Sequence, residues 1–168
     1  MKDAVIVSAV RTPVGKAKRG GLATVRPDEM AAIVIQELIN RTPNLDPAQI
    51  EDVVIGCAFP EGEQGLNMAR MIALRAGLPD SVPAETINRY CASGVQSIAH
   101  VAYAIQSGQI ETGIAGVLDF ITVGLGRAYA LLNYKKTGGD SCFAFPSGWL
   151  PCWRLARSWP RKRRRPFP

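Results

Sequence analysis

The residue in this chain best suited to nucleophilic chemistry is Cys91, within the sequence NRYCASG at residues 88–94. The residue pattern predicts a short strand over residues 83–88 and a helix that begins at about Cys91. The start of a helix offers unpaired N–H groups and the positive end of the helix dipole, and both favour a thiolate. The small residues at 92–94 let a substrate carbonyl approach N–H groups that stabilise an oxyanion. Cys91 is therefore a candidate nucleophile, and an inert core cysteine is the alternative from the residues alone.

The remaining thiols and the histidine are weaker candidates for chemistry. Cys57 lies in an apolar run that predicts a buried strand, so we expect it in the core, and Cys142 and Cys152 are interpreted as incidental thiols. No pair among the four cysteines has C-x-x-C spacing, which argues against a metal site or a disulfide scaffold and favours a reducing cytoplasm. His100, the one histidine, lies roughly 13 Å along the helix from Cys91 and about 180° around it, so it is excluded as a base within one subunit.

The elements that must position Cys91 follow an α/β order. Near-continuous apolar runs rich in Val and Ile are typical of strands covered on both faces of a parallel sheet. The patterns predict strands at residues 4–10, 52–58, 83–88 and 112–116, and helices at 27–40, 67–76 and from about 91 to 108. The predicted fold class is therefore α/β, a mainly parallel sheet with helices on both faces. The apolar stripe predicted for the last helix consists of Val95, Ile98, Ala99, Ala102 and Ile105.

Composition separates the body of the chain from its last residues. With 168 residues, 47% hydrophobic and 20% charged, the chain suits one globular domain. Residues 154–168 carry seven basic residues and no acid, while the rest holds 13 basic against 14 acidic residues. The formal charge of +6 therefore belongs to the end of the chain, and the body gives no electrostatic reason to expect nucleic acid. Neither a signal peptide nor a membrane span is expected.

Three segments together resemble the N-terminal part of the thiolase family. They are RTPVG at residues 11–15, EQGLNMAR at 63–70 and NRYCASG at 88–94. The resemblance covers residues 1–116, is closest to degradative 3-ketoacyl-CoA thiolases, and implies the N-terminal half of a five-layer αβαβα fold. It also implies that Cys91 takes the acyl group as a thioester, that its backbone N–H lines an oxyanion hole, and that coenzyme A (CoA) then accepts the acyl group.

The resemblance carries further implications about partners and the second helix. CoA and acyl-CoA enter as substrates in fatty-acid degradation, and neither a metal nor an organic cofactor is implied. Family members are homo-oligomers, and residues 67–70 lie near the subunit contact. From the residues alone, Asn67 caps a helix and Arg70 is solvated or ion-paired.

The family pattern stops after Gly116, which predicts a division of the chain. Residues 1–116 form an incomplete, truncated thiolase-like domain, and residues 117–168 form a divergent tail, basic from residue 154 and expected to be disordered. The pattern of residues 117–135 is compatible with either a helix or a strand. The family segments that carry the base histidine, the second oxyanion histidine and the acid/base cysteine do not appear in the sequence, so the isolated chain is expected to be inactive. The alternatives are a non-enzymatic fragment that pairs with full-length thiolase subunits and a nucleic-acid binder acting through its basic tail.

Overall fold

The computed structural model describes residues 2–13, 22, 24–118 and 128–134 of the chain. Short 3-10 helices at Pro47–Gln49, Gly62–Gln64 and Tyr90–Ala92 connect its main elements. The α/β order predicted from the sequence is confirmed. In chain order the helices and strands are β1 Ala4–Arg11, α1 Pro27–Asn40, β2 Asp52–Gly56, α2 Met68–Arg75, β3 Ala84–Ile87, α3 Ser93–Ser107, β4 Thr112–Val117 and β5 Ala128–Tyr134.

The strands form one five-stranded sheet in the order β1-β5-β4-β2-β3. Strand β2 pairs in parallel with β3 on one side and with β4 on the other, as expected for strands joined through helical crossovers. Strand β5 is antiparallel to both of its neighbours, β1 and β4. Because the carboxyl ends of β2, β3 and β4 meet at one edge, the loops that follow these strands lie together there.

Strand β5 lies beyond the division predicted at Gly116. Residues 128–134 pair with Ala4–Arg11 and with residues 112–116, and the disorder expected for the tail stays a prediction. A strand between β1 and β4 supplies hydrogen-bond partners to both, and this long-range pairing leaves no signal in the local sequence. The position of the boundary stays a prediction. The chain divides into Met1–Thr137 and Gly138–Pro168, and the second unit, with Cys142, Cys152 and the basic run, lies outside the described residues.

Helices cover both faces of the sheet, as predicted. Alternate residues of β2 enter two different clusters: Val53 and Ile55 pack with α1 and α2, while Val54 packs with Val101 and Ile105 of α3. Cys57 belongs to the first cluster and is fully buried, so its predicted place in the core is confirmed. Burial on both faces explains why β2 reads as a continuous apolar run.

The face that α3 buries differs from the predicted one. The buried residues are Ser93, Ser97, Val101 and Ile105, whereas Val95 is 74% exposed and Ile98 is also exposed. The small residues face the sheet because α3 approaches β2 closely. A Cβ added to Gly56 would lie 2.5 Å from the Ser93 carbonyl oxygen. Of the five residues predicted to face the core, only Ile105 is buried. The short distance between the start of α3 and β2 leaves room there for the small polar residues Ser93 and Ser97 and none for larger apolar side chains.

Candidate active site

Cys91 lies in the 3-10 turn Tyr90–Ala92, between the end of β3 and the start of α3. Its side chain is exposed, so the inert core cysteine that the residues alone left open is excluded. Helix α3 begins at Ser93, two residues later than predicted. The N–H groups of Ala92 and Ser93 close the turn on the carbonyls of Arg89 and Tyr90. The resemblance assigns the oxyanion to the N–H of Cys91 itself.

The residue before the cysteine has an uncommon backbone conformation. Tyr90 has a φ of 48°, in the left-handed region, which costs a non-glycine residue about 1–3 kcal/mol. The Tyr90 N–H donates to Asn88 Oδ1 at 2.8 Å, and the Tyr90 carbonyl accepts from Ser93 Oγ at 2.6 Å. Side chains from both flanks therefore stabilise this conformation. The sequence analysis did not identify this role of Asn88 and Ser93, although an asparagine two positions before a turn N–H is the signal of an Asx turn.

The same turn is joined to the sheet by two further contacts. Asn88 Nδ2 donates to the Ala58 carbonyl, just past the end of β2, at 3.0 Å. The Arg89 N–H donates to Ser93 Oγ at 2.9 Å. Asn88 and Ser93 thus each use both their donor and their acceptor at this junction. The turn that carries Cys91 is held at the carboxyl edge of the sheet, where α/β proteins place their ligand sites.

His100 is engaged away from the turn. Its Nδ1 lies 3.0 Å from Glu85 Oε1 on β3, with both side chains partly exposed. Cys91 lies in the turn ahead of α3, so the helical angle that excluded His100 does not apply to it, and the exclusion stays a prediction. The neighbour that the structure gives the imidazole is the Glu85 carboxylate. The described residues therefore supply Cys91 with a fixed backbone, and they offer no histidine in contact with its sulfur.

The structure settles how Asn67 and Arg70 are bonded. Asn67 precedes α2 but makes no side-chain cap; its amide donates to the Ala84 carbonyl at 2.8 Å and accepts from Thr86 Oγ1 at 3.0 Å. Arg70 donates to the carbonyls of Val82 and Asp80 at 2.6 and 3.0 Å. Asn67 lies at the expected N-cap position of α2, but the cap hydrogen bond expected of its side chain is absent. The expectation of a solvated or ion-paired Arg70 is wrong, because Arg70 is bonded to main-chain carbonyls just before β3. The place of both residues near a subunit contact stays a prediction.

Asp52 at the start of β2 has an altered protonation equilibrium. Burial is the largest effect on the pKa of Asp52 and raises it above 3.8. The charge of Glu85 also raises this pKa, while a hydrogen bond from the Val53 N–H and the nearby His100 lower it by less. Because the folded-state pKa exceeds the unfolded one, the proton binds more tightly to the folded chain. The stability from this group is complete below about pH 3.8 and is lost as the pH rises through the folded pKa.

We therefore expect Asp52→Asn to stabilise the fold at pH 7, by less than about 1 kcal/mol because the group is partly exposed. The amide keeps an acceptor for the Val53 N–H, which lies 2.7 Å from Asp52 Oδ1. Thermal melts at pH 3 to 7 measure the effect. The difference between variant and parent should shrink as the pH falls, and a difference that does not change with pH would contradict the assignment.

The part of the chain that the structure describes has neither a metal-binding cluster nor a membrane-spanning helix. No group of three or more His, Cys, Asp or Glu residues is arranged to hold a metal ion there. No helix within those same residues is long and apolar enough to cross a membrane. Cys57 and Cys91 are both unbridged.

Comparison with known proteins defines the class to which this fold and cysteine belong. The thiolase N-terminal domain matches residues 4–122. The chain therefore belongs to the thiolase family. The resemblance drawn from the three segments is confirmed.

The individual relatives agree with this assignment. The chain is 60% identical over 116 residues to the 3-ketoacyl-CoA thiolase of Bacillus subtilis, a match that covers 69% of this chain and 29% of that protein. It is 51% identical over 119 residues to a beta-ketoadipyl-CoA thiolase of Acinetobacter baylyi, covering 71% and 29%. The crystal structure of the Bacillus anthracis acetyl-CoA acetyltransferase matches with a TM-score of 0.67 and 37% identity, over 74% of this chain and 31% of that one. The chain thus spans under a third of the length of these relatives.

Proposed function

We propose that this chain carries the nucleophile of a 3-ketoacyl-CoA thiolase, and that Cys91 is that nucleophile. The observation that carries the proposal is the exposed thiol of Cys91 on a turn whose backbone is fixed from both sides. Membership of the thiolase family and the 60% identity to a 3-ketoacyl-CoA thiolase support it. Acyl-CoA and CoA are the proposed substrates.

The proposed reaction has two steps with balanced bonds. The Cys91 thiolate attacks the 3-keto carbon, and the tetrahedral oxyanion is stabilised by the Cys91 N–H. Collapse breaks the bond between carbons 2 and 3; the electron pair stays on carbon 2, which takes a proton and leaves as acetyl-CoA. The acyl group remains on Sγ as a thioester. A CoA thiol then loses its proton, attacks the thioester, releases acyl-CoA and restores the Cys91 thiolate.

Proton transfer sets the limit of what this chain does alone. The sequence contains one histidine, and it pairs with Glu85 on β3. Carbon 2 needs an acid and the CoA thiol needs a base, and we propose that, within one subunit, both are groups other than His100. We propose that the 168-residue chain accepts an acyl group on Cys91 and turns over slowly or not at all. A reducing cytoplasm and a homo-oligomer are the setting we propose for the enzyme to which these residues belong.

The test is acetyl transfer from acetyl-CoA to the full chain. We expect peptide mass spectrometry to find one acetyl group on the peptide that contains Cys91, with release of one CoA. Turnover of acetoacetyl-CoA should stay below about 1 per second, the lower end of ordinary enzyme rates. An unmodified Cys91 overturns the proposal, while turnover at ordinary enzyme rates overturns only the claim that proton transfer is missing.

A further inference from the structure

We propose that Asn88 and Ser93 are positioning residues that hold Tyr90 in its left-handed conformation and thereby aim the Cys91 sulfur at the acyl carbonyl. The inference rests on the proposed function, because it assigns a purpose to the turn around the nucleophile. Neither side chain needs to touch the substrate. Both act through the backbone of Tyr90, which directly precedes Cys91.

One of the two side chains binds the N–H of Tyr90, and the other binds its carbonyl. Asn88 Oδ1 accepts the Tyr90 N–H at 2.8 Å, and Ser93 Oγ donates to the Tyr90 carbonyl at 2.6 Å. Each side chain is itself anchored: Asn88 Nδ2 donates to Ala58 O at 3.0 Å, and Ser93 is fully buried in α3. We call Asn88, Tyr90 and Ser93 the clamp.

The side chain of Tyr90 offers no competing reason for its conformation. It is 69% exposed, so burial does not hold the residue at a φ of 48°. A tyrosine leaves the left-handed region when nothing holds it there. Among the described residues, the two side-chain hydrogen bonds act together with the Ser93 N–H, which also donates to the Tyr90 carbonyl and is kept when Ser93 is replaced. Since a change in φ at Tyr90 turns the chain that follows it, the direction of the Cys91 side chain depends on the clamp.

The experiment measures two quantities on the full chain and its variants. One is the rate of acetylation of Cys91 by a small acetyl thioester, followed by peptide mass spectrometry. The other is amide hydrogen exchange over residues 88–94. For Asn88→Ala and Ser93→Ala we expect acetylation to fall about tenfold, the population ratio by which the left-handed region disfavours a tyrosine, together with faster exchange over residues 88–94.

Ser97→Ala is the matched control for Ser93→Ala. Ser97 is also fully buried in α3, and its hydroxyl also donates to main-chain carbonyls, those of Gly94 and Gly116, at 2.8 Å. Its loss removes the same kind of hydrogen bond from the same helix without touching Tyr90. We expect this variant to lose stability while the acetylation rate of Cys91 stays within about twofold of the parent. A tenfold loss in Ser97→Ala would overturn the proposal.

A second background separates positioning from substrate contact. Glycine adopts a positive φ freely, so in the Tyr90→Gly background the conformation of residue 90 needs little stabilisation by Asn88 and Ser93. In that background, Asn88→Ala should lower acetylation by less than about threefold. An equal loss in both backgrounds overturns the proposal, because Asn88 would then act directly on the substrate. If the parent chain is not acetylated at all, the proposed function fails, and the exchange measurements alone still decide whether the clamp holds the turn.

Discussion

The Cys91→Ala variant is expected to lose all acetyl transfer from acetyl-CoA, which is the largest effect that any single change in this chain should have. The acyl group has to form a bond to a nucleophilic sulfur, and alanine offers none. Cys91 is the exposed thiol among the described cysteines. Intact-mass measurement after incubation with acetyl-CoA gives the result directly, since each transferred acetyl group adds a fixed mass.

The control for this loss is Cys57→Ala, a change at a thiol with no access to solvent. Cys57 is fully buried in the cluster formed with α1 and α2. Its truncation should lower the free energy of unfolding by about 1 kcal/mol and leave acetylation of Cys91 in place. Acetyl transfer that persists at the parent rate in Cys91→Ala, or that disappears in a folded Cys57→Ala chain, would show that the nucleophile is wrongly assigned.

Gly56→Ala is expected to produce the largest loss of stability through a single methyl group. A Cβ at this position would lie 2.5 Å from the carbonyl oxygen and 2.7 Å from the Cβ of Ser93. Because the obstacle includes the backbone of α3, no side-chain rotation relieves it, and the helix has to move away from β2. We expect the free energy of unfolding to fall by about 3 kcal/mol, the upper end of the usual range for overpacking, in a urea titration.

Gly94→Ala provides the graded comparison. Its added Cβ would lie 3.0 Å from the Cβ and 3.1 Å from the Cγ1 of Val117, so the neighbour has to move by only a few tenths of an ångström, less than the 2.5 Å approach at Gly56 requires. The higher helix propensity of alanine, about 1 kcal/mol over glycine, offsets part of the cost. We expect a loss well below that of Gly56→Ala. Equal losses in the two variants would contradict the claim that the backbone of Ser93 is the obstacle.

The close approach at Gly56 also links stability to the site. The residue that a new methyl group would displace is Ser93, whose hydroxyl holds the Tyr90 carbonyl. A shift of α3 therefore disturbs the turn that carries Cys91, and Gly56→Ala should reduce acetylation as well as stability. The Gly56 backbone and the Cys91 turn thus depend on the same contact between β2 and α3.

Local signals in the sequence were sufficient for most of the helices and strands. Helix α1 was predicted at residues 27–40 and is observed at Pro27–Asn40, because Pro27 suits the first helical turn and the acidic residues after it complement the dipole. Strand β2 and the burial of Cys57 followed from one apolar run. The three family segments identified the thiolase family and Cys91 as the residue to test.

Contacts between distant residues decided what the sequence analysis missed or misjudged. Strand β5 pairs with β1 across more than a hundred residues, α3 buries Ser93 and Ser97 in place of Val95 and Ile98, and the side chains of Asn88 and Ser93 meet at Tyr90. Helix propensity and apolar period depend on neighbours along the chain, so the sequence by itself determined the helices and strands up to residue 117. Its three family segments determined the family and the candidate nucleophile. Only the tertiary structure decided which face α3 buries and how the turn at Cys91 is held, because both depend on how closely separate elements pack.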